Sequence, residues 1–264
     1  MDTSLEEPLV VRSTRSRVAT LLLNRPAQFN ALSSAMLSAL QNELEAVAAD
    51  PAVHVLVLGG KGRAFCAGHD LREMQANPDA LWQRALFDQC SRVMLTLAEM
   101  PQPVIARVHG VATAAGCQLV AACDLAIAGC SARFATSGVN LSLFCSTPAV
   151  PLTRVIAPKH AAEMLFTGEF VDAERAAQWG LINRCVDDNA LDDHIQAMAD
   201  TLASKSSSAL TSGKQLLRNL HGATLSDAYA VASENMARDT QSADARAGIS
   251  AFLNKRTMPQ WSER

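Results

Sequence analysis

The stretch Phe65-Cys66-Ala67-Gly68-His69-Asp70-Leu71 constrains this chain more than any other. It follows the apolar run 53–58, which reads as a short buried strand. Gly59, Gly60 and Gly62 break that strand, and Asp70 is placed to cap a helix beginning near Leu71. Gly68 lets the chain bend where a side chain would obstruct it. A turn of this kind can aim backbone N–H groups at one point, and an N–H aimed at an empty site stabilises an oxyanion. The same local pattern also fits an ordinary loop.

A second stretch favours the first reading. Residues 104–108 form another apolar run, ending at His109-Gly110, and Val111-Ala112-Thr113-Ala114-Ala115-Gly116-Cys117-Gln118-Leu119 follows. Small residues crowd the start of a helix there. Backbone can then approach a ligand closely, and the helix dipole favours negative charge at that end. Two strand-to-turn units, each offering N–H groups, can make a two-donor oxyanion hole.

The rest of the chain supplies a scaffold. Residues 18–23 read as the first strand, ended by Asn24-Arg25-Pro26. A helix starts with Ser33 or Ser34 as its cap and carries Leu37, Leu40, Leu44 and Val47 on one face. Asn77-Pro78-Asp79 opens a long helix with Leu86, Cys90, Val93, Met94 and Leu97 as its stripe. Residues 124–128 and 132–136 read as short strands. Residues 138–158 read as the least regular part, interrupted by Pro148, Pro151 and Pro158. Residues 159–166 read as a helix ending at Gly168, and the next helix runs from Asp172 as its cap to Gly180. From about Leu191 the pattern is almost all helix. The strand–strand–helix rhythm gives an α/β or mixed core, and no G-x-G-x-x-G opens a helix.

Composition narrows the partners. The 264 residues are 49% apolar, enough for a sizeable core, and the net charge is −3 with 5% aromatics. Neither a nucleic acid nor an anionic membrane is expected. The seven cysteines have no paired spacing. Cys66, Cys117, Cys123 and Cys185 read as buried thiols, and no metal-ligand spacing occurs. Residues 1–18 carry Glu6 and Glu7 without an apolar centre, and Asp2 adds to their acidity, so neither a signal nor a transit peptide is expected. A cytoplasmic protein is the expectation.

The motifs together resemble the crotonase, or enoyl-CoA hydratase/isomerase, superfamily. They are Asn24-Arg25-Pro26 with Asn30-Ala31-Leu32, the 65–71 stretch, Gly116-Cys117-Gln118-Leu119 with Cys123-Asp124, Leu165-Phe166-Thr167-Gly168, and Ala251-Phe252-Leu253-Asn254-Lys255-Arg256. Within it, Leu143-Phe144-Cys145-Ser146-Thr147-Pro148 resembles the enoyl-CoA hydratase domain-containing protein 3 branch. The resemblance implies a crotonase-like (ClpP/crotonase) spiral core of repeated strand–strand–helix units over 1–198. It implies a C-terminal helical region over 199–264 that packs homotrimers or dimers of trimers.

The resemblance also implies an acyl-CoA thioester as ligand, with coenzyme A part of the substrate and no permanently bound cofactor. The oxyanion donors would be the backbone N–H groups of His69 and Ala115, the latter where glycine is usual. Arg25, Ala27, Ala67, Asp70 and Leu71 would lie near the pantetheine and adenine. Phe252 and Lys255 would approach from a neighbouring subunit. Hydratases of the family use two glutamates, and those positions here hold Gln118 and Gly138. An amide takes no proton near neutral pH and glycine has no side chain, so efficient hydration is not expected. Asp70, His69, Ser137, Asn140, Cys145 and Ser146 are the other candidates for moving a proton. Phe87, Met94 and Phe144 are candidates for an acyl pocket, against a reading as plain core. The alternative is a non-catalytic acyl-CoA binder or regulatory subunit.

Overall fold

The computed structural model describes residues 7–261. Asp2 and Glu6, on which part of the compartment reading rested, lie outside them. In chain order the strands are β1 (Val10–Arg15), β2 (Val18–Leu23), β3 (Val55–Gly60), β4 (Val104–Val108), β5 (Val111–Thr113), β6 (Leu125–Gly129), β7 (Arg133–Ala135), β8 (Val171–Asp172) and β9 (Arg184–Val186). The helices are α1 (Ser34–Ala49), α2 (Leu71–Ala76), α3 (Ala80–Glu99), α4 (Ala115–Ala122), α5 (Ser146–Val155) and α6 (Pro158–Thr167). They continue with α7 (Ala173–Trp179), α8 (Leu191–Ala203), α9 (Ser207–Leu220), α10 (Leu225–Asp239) and α11 (Ala243–Leu253).

The main sheet runs β1-β2-β3-β4-β6-β9, parallel except for the β1–β2 pair. A second sheet, β5-β7-β8, carries the edge of the site. Strand β3 is buried along its whole length, as a parallel strand covered on both faces must be. Its alternate residues divide between two cores. Leu56 and Leu58 pack with Leu37, Leu40, Leu44, Leu86, Val93 and Leu97 of α1 and α3. Val55 and Val57 face the opposite way, with Ile105 and Ile127, onto Leu191, Ile195 and Ala199 of α8.

Several expectations are corrected. A strand, β1, precedes 18–23 and pairs with it antiparallel. Gly59 and Gly60 do not break β3 but belong to it. They permit close approach: a Cβ on Gly60 would lie 2.5 Å from the Phe65 carbonyl oxygen. The segment 138–158 contains a helix, α5, despite its prolines. Pro148 occupies the first turn, where a missing N–H breaks no intrahelical bond, and Pro158 begins α6. Residues 198 and 199 lie within α8, whose Ala199 is buried with Leu191 and Ile195.

Other expectations hold. Ser33, Asp70, Asp79 and Asp172 each cap the helix that follows by accepting a backbone N–H. Gly168 and Gly180 close α6 and α7 in left-handed conformation. The α3 stripe of Leu86, Cys90, Val93, Met94 and Leu97 is buried.

Candidate active site

The two turns are stitched together by short pieces of parallel ladder. Cys66 donates its N–H to Val111, and its carbonyl accepts from Thr113. Leu32 donates to the Gly68 carbonyl and accepts from the Asp70 N–H. In that pairing the intervening His69 N–H points away from Leu32, and it has no protein acceptor among the described residues. Gly68 sits at φ +89, and a Cβ on it would lie 3.3 Å from the Ala115 nitrogen and 3.0 Å from the Thr113 oxygen. The first turn therefore rests directly on the second.

The second donor has a different origin. Ala115 is the first residue of α4, so its N–H has no intrahelical partner, and it finds none elsewhere among the described residues. Ala114 turns the chain into the helix at φ 50, ψ −118. Alanine is strained there by about 1–3 kcal/mol. The Ala114 N–H is spent on the Ala135 carbonyl. Gly116 completes the contact, since a Cβ there would lie 2.1 Å from the Cys66 oxygen.

Both donors line a cavity of about 480 Å³. Ala67, Leu71, Gly138, Phe87, Phe144 and Cys145 share its wall. Phe87 and Phe144 thus join the acyl-pocket reading, while Met94 lines a second cavity beside it. Gln118 also lines that second cavity and not the first. Gly138 is not an open place for a longer side chain. A Cβ there would lie 2.4 Å from the Leu143 oxygen and 2.8 Å from Cys145 Sγ.

Of the coenzyme positions, Arg25 is held by Asp70, Nη1 to Oδ2 at 2.7 Å. Burial pushes the Asp70 carboxyl up, but Arg25 and the α2 backbone hydrogen bonds together draw it below its ordinary range. Ala27 is exposed, as are Phe252 and Lys255 at the far end of the chain. Asp124 of the Cys123-Asp124 motif accepts the Val104 N–H and pairs with Lys214. Glu163 pairs with Arg175. Among the other proton-transfer candidates, Ser137, Cys145 and Ser146 line the first cavity and Asn140 does not.

The His69 ring stands edge-on to Phe87 with centroids 5.2 Å apart. Burial pushes its pKa down to about 4, against the opposing charge of Glu73. The ring is therefore neutral at pH 7. The unfolded chain binds a proton at ordinary histidine pH and the folded one does not, so stability falls as pH drops from about 6.5 towards 4. Urea titrations of wild type and His69→Phe across that window are expected to diverge, with the wild type losing more stability at the acid end. Parallel curves would show that His69 does not carry the dependence.

Sequence reasoning named Phe87 but missed the polar residues beside it on α3: Arg84, Asp88 and Ser91 also line the first cavity. Their spacing of i, i+4, i+7 beside the core stripe was the available signal. Asp88 is the one carboxylate lining that cavity among the described residues, and Arg84 Nε holds it at 2.9 Å.

The comparisons identify the fold and the family. The enoyl-CoA hydratase/isomerase family profile matches residues 13–264. The mitochondrial enoyl-CoA hydratase domain-containing protein 3 of Xenopus laevis is 39% identical over 255 residues, covering 97% of this chain and 86% of its own length. The solved enoyl-CoA hydratase of Mycobacterium smegmatis superposes with TM-score 0.94 at 50% identity, covering 96% of this chain and 99% of that one. Human enoyl-CoA hydratase domain-containing protein 3 superposes with TM-score 0.92 at 37% identity, over 95% and 99%. The counterparts from Rattus norvegicus, Danio rerio, Mus musculus and Homo sapiens are also named mitochondrial. These names overturn the cytoplasmic expectation, which rested on acidic residues near the start; compartment is an address read by receptors, which the folded core does not encode. The glycine-dependent meeting of the two turns, the crotonase fold and the match over nearly the whole chain lead to one conclusion: this chain belongs to the enoyl-CoA hydratase/isomerase family of the crotonase superfamily and resembles its domain-containing protein 3 branch.

Proposed function

We propose that the protein binds an acyl-CoA thioester with the carbonyl oxygen between the N–H groups of His69 and Ala115, and stabilises the enolate formed there. The observation that carries this reading is that both N–H groups lack a protein acceptor among the described residues, and both residues line one cavity. Preorganised donors of this kind lower the energy of developing negative charge without reorganisation. Ala67, Asp70 and Leu71 then border the pantetheine, and Arg25 and Ala27 lie toward the adenine. Phe252 and Lys255 reach the coenzyme of a neighbouring subunit in a trimer or a dimer of trimers. The exposed apolar side chains Leu217, Tyr229, Ile249, Phe252 and Leu253 on the C-terminal helices support such an assembly.

The reaction class is enoyl-CoA hydratase or isomerase, with proton transfer handled without glutamates at 118 and 138. A second reading, an acyl-CoA binder without turnover, is favoured by one observation. Cys145 Sγ and the Leu143 carbonyl fill the space that a side chain at 138 would need. Restoring a glutamate there would displace backbone, so Gln118→Glu alone is the informative replacement.

Hydration of crotonyl-CoA, followed by loss of the conjugated thioester absorbance, tests the proposal. Wild type is expected to turn over slowly or not at all. Ala115→Pro removes one donor and also strains the turn, because Ala114 before it is held at ψ −118; any acyl-CoA turnover is expected to fall by at least about 10²–10³. Rapid wild-type hydration would show that another group supplies the acid and base. Binding without turnover across enoyl, branched and malonyl-type thioesters would support the binder. No binding of any thioester would reject both readings.

A further inference from the structure

The second cavity, about 590 Å³, lies between α3, α4, α5 and α9. Ser91 and Thr147 line both cavities, so the two adjoin along these side chains. Its walls are largely apolar, with Met94, Leu95, Val150 and Leu217 among them. The Gln118 side chain is 3% exposed, and its Oε1 has no hydrogen-bond partner among the described residues. A buried amide oxygen left unpaired costs about 1–3 kcal/mol, and an amide in that state at a cavity wall marks a place that takes a ligand.

The charges around this cavity are unevenly matched. Lys214 is neutralised by Asp124 at 2.7 Å, and Arg218 by Glu99 at 3.1 Å. Arg154 has no carboxylate partner among the described residues; its Nη1 donates to the Val150 carbonyl of its own helix. His221 stands at the same exposed mouth. A largely apolar cavity that adjoins the thioester site and carries an unmatched guanidinium on its wall fits a chain with an anionic end.

We propose that the second cavity receives the distal part of the acyl chain and that Arg154 binds a carboxylate at its far end. The preferred ligands are then coenzyme A monothioesters of dicarboxylic acids. This rests on the thioester site proposed above and adds the substrate class. Arginine suits the task because its planar fork matches a carboxylate, and an exposed pair of this kind weakens with salt.

The experiment is calorimetric titration of the whole chain with two series of CoA thioesters of four to ten acyl carbons, one methyl-terminated and one carboxylate-terminated. At one chain length or more, the carboxylate-terminated ester is expected to bind about tenfold more tightly, equivalent to about 1.4 kcal/mol. The ratio should fall towards one in Arg154→Gln and shrink between 50 and 300 mM salt. Arg154 is exposed, so this replacement does not threaten the fold. Equal affinities of the two series at every length would overturn the proposal while leaving the thioester site standing. A preference that survives Arg154→Gln would overturn it as well. Failure of both series to bind would remove the thioester site and this inference together.

Discussion

Gly116→Ala is expected to cost the protein both its stability and its acyl-CoA chemistry. The added Cβ would sit 2.1 Å from the Cys66 carbonyl oxygen and 2.8 Å from the Cys66 carbonyl carbon. Both are backbone atoms, and no rotamer change relieves the contact. Cys66 is fixed in turn by its hydrogen bonds to Val111 and Thr113. The start of α4 must therefore separate from the turn that carries His69. Overpacking of this kind costs about 1–3 kcal/mol. Because it parts the two donors, turnover should fall by at least the 10²–10³ typical of one lost donor, on the order of magnitude seen for oxyanion holes. Gly213→Ala supplies the contrast: it lies inside α9, and nothing stands within 4 Å of its Cβ position. That replacement should stabilise by about 0.5–1 kcal/mol. Urea midpoints and thioester affinity for the two variants make the comparison. Equal midpoints would refute the close packing of the two turns.

Lys214→Met is expected to be the most damaging change outside the cavity wall of the thioester site. Lys214 is buried, and its Nζ donates to the carbonyls of Leu97 at 2.7 Å and Gln102 at 2.9 Å while pairing with Asp124. It thereby joins α9 to the end of α3 and to the loop before β4. Burial pulls its pKa down, and the Asp124 charge opposes that. Asp124 is exposed, so solvent takes over its charge; the loss comes chiefly from the Leu97 and Gln102 carbonyls left without a donor, about 1–3 kcal/mol for each buried group left unpaired. The share carried by the Asp124 charge is read by a double-mutant cycle with Lys214→Met/Asp124→Asn, and is expected to be a minor part of the loss. Additive losses would show that the carbonyl contacts, and not the ion pair, hold α9 in place.

Much of this fold could be read from the sequence where local signals and burial agree. Helix α3 has an aspartate cap, an uninterrupted apolar stripe and prolines beyond its end, and each feature points to the same element. Strand β1 was passed over because its polar residues face solvent on an edge strand, and only pairing with β2 gives it a strand's hydrogen bonds. Helix α5 was hidden by its prolines: Pro148 costs no bond in the first turn, and burial of Pro148 and Leu152 offsets the bond lost at Pro151. The two glycine-bearing turns were legible because Gly68 and Gly116 answer to backbone geometry. The partition of Gln118 and Gly138 between different cavities was not. It depends on where α3 and α5 cross α4, which no local pattern encodes. The crowding of Gly138 by Cys145 is likewise a contact between residues that meet only in the folded chain.

The main-chain origin of the two donors sets what mutagenesis can detect. Alanine at position 69 would keep its N–H, and position 115 already carries alanine. A scan that truncates every side chain around this cavity would thus leave the proposed pair of N–H donors untouched and score it as silent. An amide-to-ester replacement at either position, which deletes the N–H and spares every side chain, would expose the element that such a scan overlooks.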